Sequence, residues 1–115
     1  MGYRSEVALA LTTDAAVLLK KLCEHSKDLR EIVEDGIDAT DWGPDAIQNG
    51  NTIIFYWCDI KWYEGYPGIT QIQAFMDNTE SEEWRFLRIG EDFDDATEEG
   101  HFYDSGIHIS RSIVV

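Results

Sequence analysis

Hydrophobic and polar residues alternate in several short stretches of the chain, and each of these stretches predicts a strand. In residues 3–12, apolar side chains occupy one face and small or polar ones the other, which is typical of a half-buried strand. Residues 52–63 begin with apolar or aromatic side chains on both faces, which predicts a central strand. Residues 83–89 and 107–114 also alternate and predict a third and a fourth strand. The apolar residues of the first strand are Val7, Leu9 and Leu11.

Apolar residues at three- and four-residue spacing predict helices in two regions. The first region begins after Thr12-Thr13-Asp14, which supplies capping side chains, and it ends at Gly36. Ser26 is able to cap a second helix within this region, so one bent helix and two separate helices both fit the pattern. The second region begins just after Pro67, a residue favoured in the first turn of a helix. Its apolar residues are Ile69, Ile72, Phe75 and Met76.

The order of predicted elements is β-α-(α)-β-α-β-β, and helices of this length can cover only one face of a four-stranded sheet. We therefore predict an α+β fold, a two-layer sandwich in which two or three helices pack on one face of a mostly antiparallel sheet. A chain of 115 residues suits one domain, which we place at residues 1–115. Residues 36–51 and 90–106 show no sustained period and are predicted to be loops, the second of them strongly acidic.

The chain carries 9 Lys and Arg against 23 Asp and Glu, a formal net charge of 9 − 23 = −14. Its 4 Trp, 5 Tyr and 5 Phe argue against a disordered acidic protein, because such proteins lack aromatic residues. Binding to a nucleic-acid backbone or to an anionic membrane requires a basic surface, so we expect neither partner. The sequence also contains no apolar run long enough to span a membrane.

Two features predict a cytoplasmic protein. Met1–Glu6 lacks the charged segment and long apolar core of a secretory signal. Cys23 and Cys58 fall within apolar patterns, which predicts two buried free thiols in a reducing compartment.

Asp45, Asp59 and Lys61 fit a loose nuclease pattern, in which Pro-Asp is followed by an acid-x-Lys. In that chemistry two carboxylates hold Mg²⁺ and the lysine activates the attacking water. The pattern is short and acids are abundant in this chain, so an ordinary solvated pair near a strand end is the favoured interpretation. A surface of this charge also repels the polyanionic substrate that a nuclease has to hold.

No metal or other cofactor is expected. Residues 90–100 do not match the calcium-loop template, since Ala96 and Thr97 stand where a ligand and the glycine belong. The favoured interpretation of this segment is a solvated acidic loop, with at most a weak and unspecific cation site. The three histidines, His25, His101 and His108, lack the paired spacing with cysteine that structural zinc uses.

The acidic residues are concentrated in two parts of the chain, each with aromatic residues among them. Residues 77–104 contain 11 acids and two bases, and residues 28–45 contain seven acids and one base. A globule of this size is about 35 Å across, and duplex DNA of that length carries about 20 phosphates, which is close to the 23 carboxylates of this chain. The acidic residues are therefore predicted to form an interaction face. The first predicted binding patch consists of Glu91, Asp92, Asp94, Asp95, Glu98 and Glu99, and the second of Asp38, Asp41 and Asp45. Trp42 and Phe93 are the predicted apolar anchors.

Three segments are similar to small acidic proteins from the accessory regions of phages and prophages. They are Gly2–Val7, the stretch from Trp57 to Trp62-Tyr63, and Phe86–Asp92 with the acids that follow it. The resemblance spans most of the chain and brings no catalytic signature with it. It implies an inhibitor of a host defence system, of the anti-CRISPR or DNA-mimic kind, and, if a phage encodes the protein, a location in the host cell cytosol.

Charge and resemblance together predict a non-enzymatic inhibitor that binds a basic, nucleic-acid-binding surface of a host protein through an acidic face. An immunity protein that neutralises a basic toxin is an alternative, because it needs the same kind of interface. A metal-dependent nuclease is a third hypothesis, and a subunit whose acidity serves only solubility is a fourth. The chain has many Trp and Tyr residues, so a homodimer interface that contains some of them also fits the sequence.

Overall fold

Six strands and three α-helices follow one another in the described chain, which comprises residues 4–36, 48, 50, 52–63, 65–91, 95–109 and 113–114. In this computed structural model they are β1 (Ser5–Leu11), α1 (Thr13–His25), α2 (Lys27–Asp35), β2 (Ile53–Ile60), α3 (Pro67–Asp77), β3 (Trp84–Ile89), β4 (Ala96–Gly100), β5 (His108–Ile109) and β6 (Ile113–Val114). Short 3-10 turns lie at Ser81–Glu83 and Tyr103–Ser105. The predicted α+β class and the order β-α-α-β-α-β-β are confirmed.

The main sheet is antiparallel and has the strand order β2-β1-β3-β4, so β1 lies in its interior and β2 at its edge. The prediction that β2 is a central strand is therefore wrong. Its residues are apolar on both faces because both faces of the sheet are covered. Phe55 and Trp57 pack into the core under the helices, while Ile54 and Tyr56 pack against a second cluster on the opposite face.

The helices cover one face of the sheet and form the larger core with Val7, Leu9 and Leu11 of β1. Two separate helices occupy residues 13–35, because the Ser26 hydroxyl accepts a hydrogen bond from Leu29 N at 3.3 Å and so begins α2. The predicted apolar residues of α3 are all buried. Leu18 and Leu22 of α1 are 42% and 39% exposed, unlike the buried Leu19 of the same helix, and they flank an apolar groove of about 410 Å³ beside α3.

The opposite face of the sheet is covered as well, which the pattern of β1 did not indicate. Ala8 and Ala10 are fully buried and form a second cluster with Leu87 and Ile107. The prediction that β1 is half-buried is therefore wrong. Alanine is small and only weakly apolar, so its alternation with leucine resembles that of an exposed face, although here Ile107 and the half-buried Phe102 pack over it.

The fourth strand of the sheet is β4 at residues 96–100, whereas the sequence places it at 107–114. Residues 107–114 instead contain β5 and β6, which pair with each other as a separate two-stranded sheet. The prediction of one acidic loop over 90–106 is wrong for the same reason. The β4 sequence Ala-Thr-Glu-Glu-Gly has no apolar face, so the alternation of apolar and polar residues cannot predict its pairing with β3.

The end of α2 is joined to the edge strand β2 by two hydrogen bonds. Gly36 O accepts from Tyr56 N at 2.7 Å, and Trp57 Nε1 donates to Ile32 O at 2.9 Å. This places the Trp57 ring directly against Gly36, where an added Cβ would lie 2.4 Å from Trp57 Cε2. Only glycine fits this close approach.

We expect Gly36→Ala to lower the free energy of unfolding by about 2 kcal/mol, since the methyl group displaces the buried Trp57 ring. Denaturant unfolding measures the change. Gly65→Ala is the matched control, because a Cβ at Gly65 meets nothing within 4 Å, and it should change stability by less than about 0.5 kcal/mol. Equal stability of the two variants would contradict the packing described here.

Candidate functional site

Acidic residues from two parts of the chain lie near each other, in β4 and in the turn beside its end. The turn at Ser81–Glu83 lies beside the end of β4, where His101 N donates to Ser81 O at 2.6 Å and the Ser81 hydroxyl is 2.8 Å from His101 Nδ1. We call the group that this arrangement assembles the acidic edge. It consists of Glu80, Glu82, Glu83, Glu98 and Glu99, all of which are exposed except for the half-exposed Glu83.

The two arginines of β3 are already engaged in ion pairs within the sheet. Arg88 holds Asp95 in a bidentate pair, with Nη2–Oδ1 at 2.5 Å and Nη1–Oδ2 at 3.3 Å, and it also donates to the Ser5 hydroxyl at 3.0 Å. Arg85 Nη2 lies 3.0 Å from Glu98 Oε1, and its Nη1 donates to Gly100 O at 3.1 Å. These are the only bases in residues 77–104, so they leave most of the 11 acids there without a counter-charge from this segment.

An exposed aromatic ring lies beside the acidic edge. Tyr103 is 68% exposed, and the Arg85 guanidinium is 5.0 Å from the centroid of its ring. Trp84, from the same acidic stretch, is buried instead and donates through Nε1 to Thr79 O at 3.2 Å. Among the described aromatic residues of this stretch, Tyr103 is therefore the one available to a partner, a role that the sequence did not assign to it.

Four of the predicted partner-binding residues lie in the described chain, and three of them are in β4 or next to it. Glu98 and Glu99 are in β4, and Asp95 precedes it in the pair with Arg88. Glu91 is exposed and accepts a hydrogen bond from Arg4 N at 3.1 Å. The other predicted residues lie outside the described residues. They are Asp38, Asp41, Trp42, Asp45, Asp92, Phe93 and Asp94.

Glu80, Glu82 and Glu83 were missed as site residues because they are far from Glu98 and Glu99 along the chain. The antiparallel pairing of β3 with β4 brings the two groups together, since the hairpin returns the chain to the start of β3. The signal that was available is the pair of glutamates preceding a strand, followed after that strand by a second pair. This pattern predicts a single group of acids only when β4 is known to pair with β3.

Neither the calcium-loop comparison nor the nuclease pattern corresponds to a metal site among the described residues. No group of three His, Cys, Asp or Glu side chains that could hold a metal ion occurs among them. Asp95, within the stretch compared with a calcium loop, is held by Arg88, and the residues after it form β4. For the nuclease pattern, Asp45 lies outside the described residues, and Lys61 follows the end of β2.

The two cysteines are free thiols, as predicted, but they occupy different environments. Cys23 is buried in the helical core, and burial, reinforced by the charge of Glu34, raises the pKa of its thiol to about 11. Cys58 is exposed, so the prediction that it is buried is wrong. An edge strand can leave one of its side chains in water even where the sequence around it is strongly apolar.

At pH 8 we expect an aromatic disulfide reagent to modify Cys58 rapidly in the native protein, and Cys23 only after unfolding. Accessibility and the raised pKa of Cys23 both favour this order, since the thiolate is the reactive form. Absorbance of the released thiolate measures it. Cys58→Ser should abolish the rapid phase and Cys23→Ala should keep it, whereas rapid modification of Cys58→Ser would contradict the burial of Cys23.

Tyr56 and Glu6 form a hydrogen-bonded pair between neighbouring strands, with the phenol donating to the carboxylate. Burial, followed by the hydrogen bond to Glu6 and the charge of that residue, raises the pKa of Tyr56 from 10.0 to about 12. Because the folded pKa lies above the unfolded one, this contribution to stability is complete below pH 10 and is lost as the pH rises toward 12.

The free energy of unfolding should therefore fall more steeply between pH 10 and pH 12 in the wild-type protein than in Tyr56→Phe. Denaturant unfolding at a series of pH values tests this. Cys23 titrates in both proteins, so the difference between the two curves isolates Tyr56. Parallel curves would show that the phenol keeps an ordinary pKa in the folded state.

Comparisons with known proteins do not assign the chain to a family. No family model matches it, and neither does any curated protein or solved structure. The helices of the described chain have 13, 9 and 11 residues, and none is long and apolar enough to cross a membrane.

Proposed function

We propose that this protein is a non-enzymatic inhibitor that binds a basic, nucleic-acid-binding surface of another protein through its acidic edge. The observation that carries the proposal is the combination of exposed glutamates from two chain segments with two arginines that are already paired within the sheet. The resemblance to small acidic phage proteins favours a host defence protein as the partner.

The acidic edge is suited to long-range attraction of a basic surface. Its carboxylates are exposed, and interactions between exposed charges extend over about one Debye length, roughly 8–10 Å at moderate ionic strength. Charges of this kind accelerate association and select for partners of opposite sign, which makes binding strongly dependent on salt. A surface that normally holds nucleic acid is basic for the same reason that it would attract this edge.

Affinity beyond electrostatic attraction requires an anchor that is buried on binding. Tyr103 meets this need, because an exposed tyrosine presents a large apolar ring at small entropic cost. Its contact with Arg85, which is paired with Glu98, places the ring on the Glu98 face of this edge.

The double variant Glu82→Lys/Glu99→Lys should weaken binding to the partner on the order of tenfold at low salt and flatten its salt dependence. These two residues are preferable to Asp95, because charge reversal at Asp95 would break its ion pair with Arg88. Partners are captured on the immobilised protein from a bacterial lysate at low salt, identified after elution with rising salt, and then titrated individually.

Glu24→Lys/Glu34→Lys is the matched control, since it changes the net charge by the same amount on exposed positions of α1 and α2. It should bind nearly as tightly as the wild type. If the two double variants lose affinity equally, only net charge matters and the acidic edge is not the binding surface. Retention of affinity by both, with no effect of salt, would overturn the proposed function.

A further inference from the structure

The two edges of the main sheet differ in whether another strand can be added to them. At the β2 edge, the Gly36 carbonyl accepts the outward amide of Tyr56, and α2 is held there by the Trp57 hydrogen bond to Ile32. At the β4 edge, no strand of the described chain lies beyond β4. An edge of this kind presents backbone N–H and C=O groups as a template for an incoming strand.

The register of β3 and β4 determines which residues face outward. Gly90 N donates to Asp95 O at 2.7 Å, and the next pair along the ladder is Ile89 with Ala96. Hydrogen-bonded and non-hydrogen-bonded pairs alternate in an antiparallel ladder, so Ala96 and Glu98 direct their backbone groups away from β3. Arg85 occupies Gly100 O, which leaves Ala96–Glu99 as the open part of the edge.

Glutamates stand on both faces of this open segment. Glu98 is opposite Leu87, which packs in the cluster away from the helices, whereas Glu99 is opposite Phe86, which packs in the helical core. A strand lying beside β4 would therefore meet one carboxylate on each face of the sheet. Like charges placed opposite each other destabilise a strand pair, so the arrangement disfavours pairing with β4 of a second copy.

We propose that β4 receives an extended, lysine- or arginine-rich segment of the partner protein as a fifth strand of the sheet. This inference rests on the proposed function and specifies how its partner is recognised. Backbone hydrogen bonds to Ala96 and Glu98 hold the segment, and its basic side chains, which project alternately to the two faces, meet Glu99 on one face and, on the other, Glu98 in its pair with Arg85. The same acids that exclude a second copy thus select a basic strand.

Two synthetic peptides of equal charge test strand addition without altering the protein. One is a seven-residue peptide in which pairs of consecutive Lys are separated by Thr, so that lysines project to both faces of the sheet, and the other is the same peptide N-methylated at every backbone nitrogen, which removes its hydrogen-bond donors. Calorimetric titration should show the methylated peptide binding about tenfold more weakly or worse. Hydrogen exchange at the Ala96 and Glu98 amides should slow on addition of the unmodified peptide alone.

A substitution in the protein gives an independent measurement. Ala96→Pro removes one outward N–H without a change in charge, whereas Ala96→Val keeps it, and proline is tolerated on a sheet edge at such a position. The Pro variant should bind the unmodified peptide about tenfold more weakly than the Val variant. Thermal unfolding of both variants verifies the fold, and the peptide comparison stands even if the Pro variant is unstable.

The outcomes separate this inference from the proposed function. If both peptides bind equally, with no protection of the Ala96 and Glu98 amides, and both lose affinity in Glu82→Lys/Glu99→Lys, strand addition is wrong and the acidic edge still binds basic partners. If neither charge reversal nor salt affects the binding of either peptide, the proposed function is wrong as well.

Discussion

Strand β1 is paired along both of its edges and buried on both of its faces, and this constraint determines where the other elements lie. Its pairing with β2 and β3 places the two strands on either side of it, although β2 follows it only after two helices. Val7, Leu9 and Leu11 require the helical layer, while Ala8 and Ala10 allow the close approach of the second cluster. β4 pairs with β3, and no other strand among the described residues lies beyond it, so it forms the far edge with Glu98 and Glu99 exposed.

The ion pairs of Arg85 and Arg88 join this buried sheet to its acidic edge. Each arginine projects from β3 to an acid on or just before β4. These ion pairs fix the hairpin, so the two arginines do not act as free positive charges on the surface. Arg88 is better placed than an ordinary surface pair, because it is bidentate and also bonded to the buried Ser5. These ion pairs hold the hairpin together, while Glu80, Glu82 and Glu99 of the acidic edge are exposed.

Sequence patterns predicted elements well wherever apolar spacing was strong. The buried residues of α3 and the strands β1 and β3 were identified correctly, and the Ser26 cap was recognised as a possible boundary between α1 and α2. Prediction failed where pairing rather than burial defines the element, as in β4, and where burial depends on a distant segment, as at Ala8 and Cys58. For the candidate site, the sequence identified Glu98 and Glu99 but did not connect them with Glu80, Glu82 and Glu83.

By itself, the sequence determined the fold class, the order of the elements and the large surplus of acids, because local spacing and composition carry that information directly. Only the tertiary structure decided which strand lies at which edge, since hydrogen bonding between strands joins residues that are distant in the chain. The same pairing decided which acids lie near one another and which arginines form ion pairs within the sheet. A charge of −14 is a property of the chain, but the acidic edge is a property of the way the sheet is assembled.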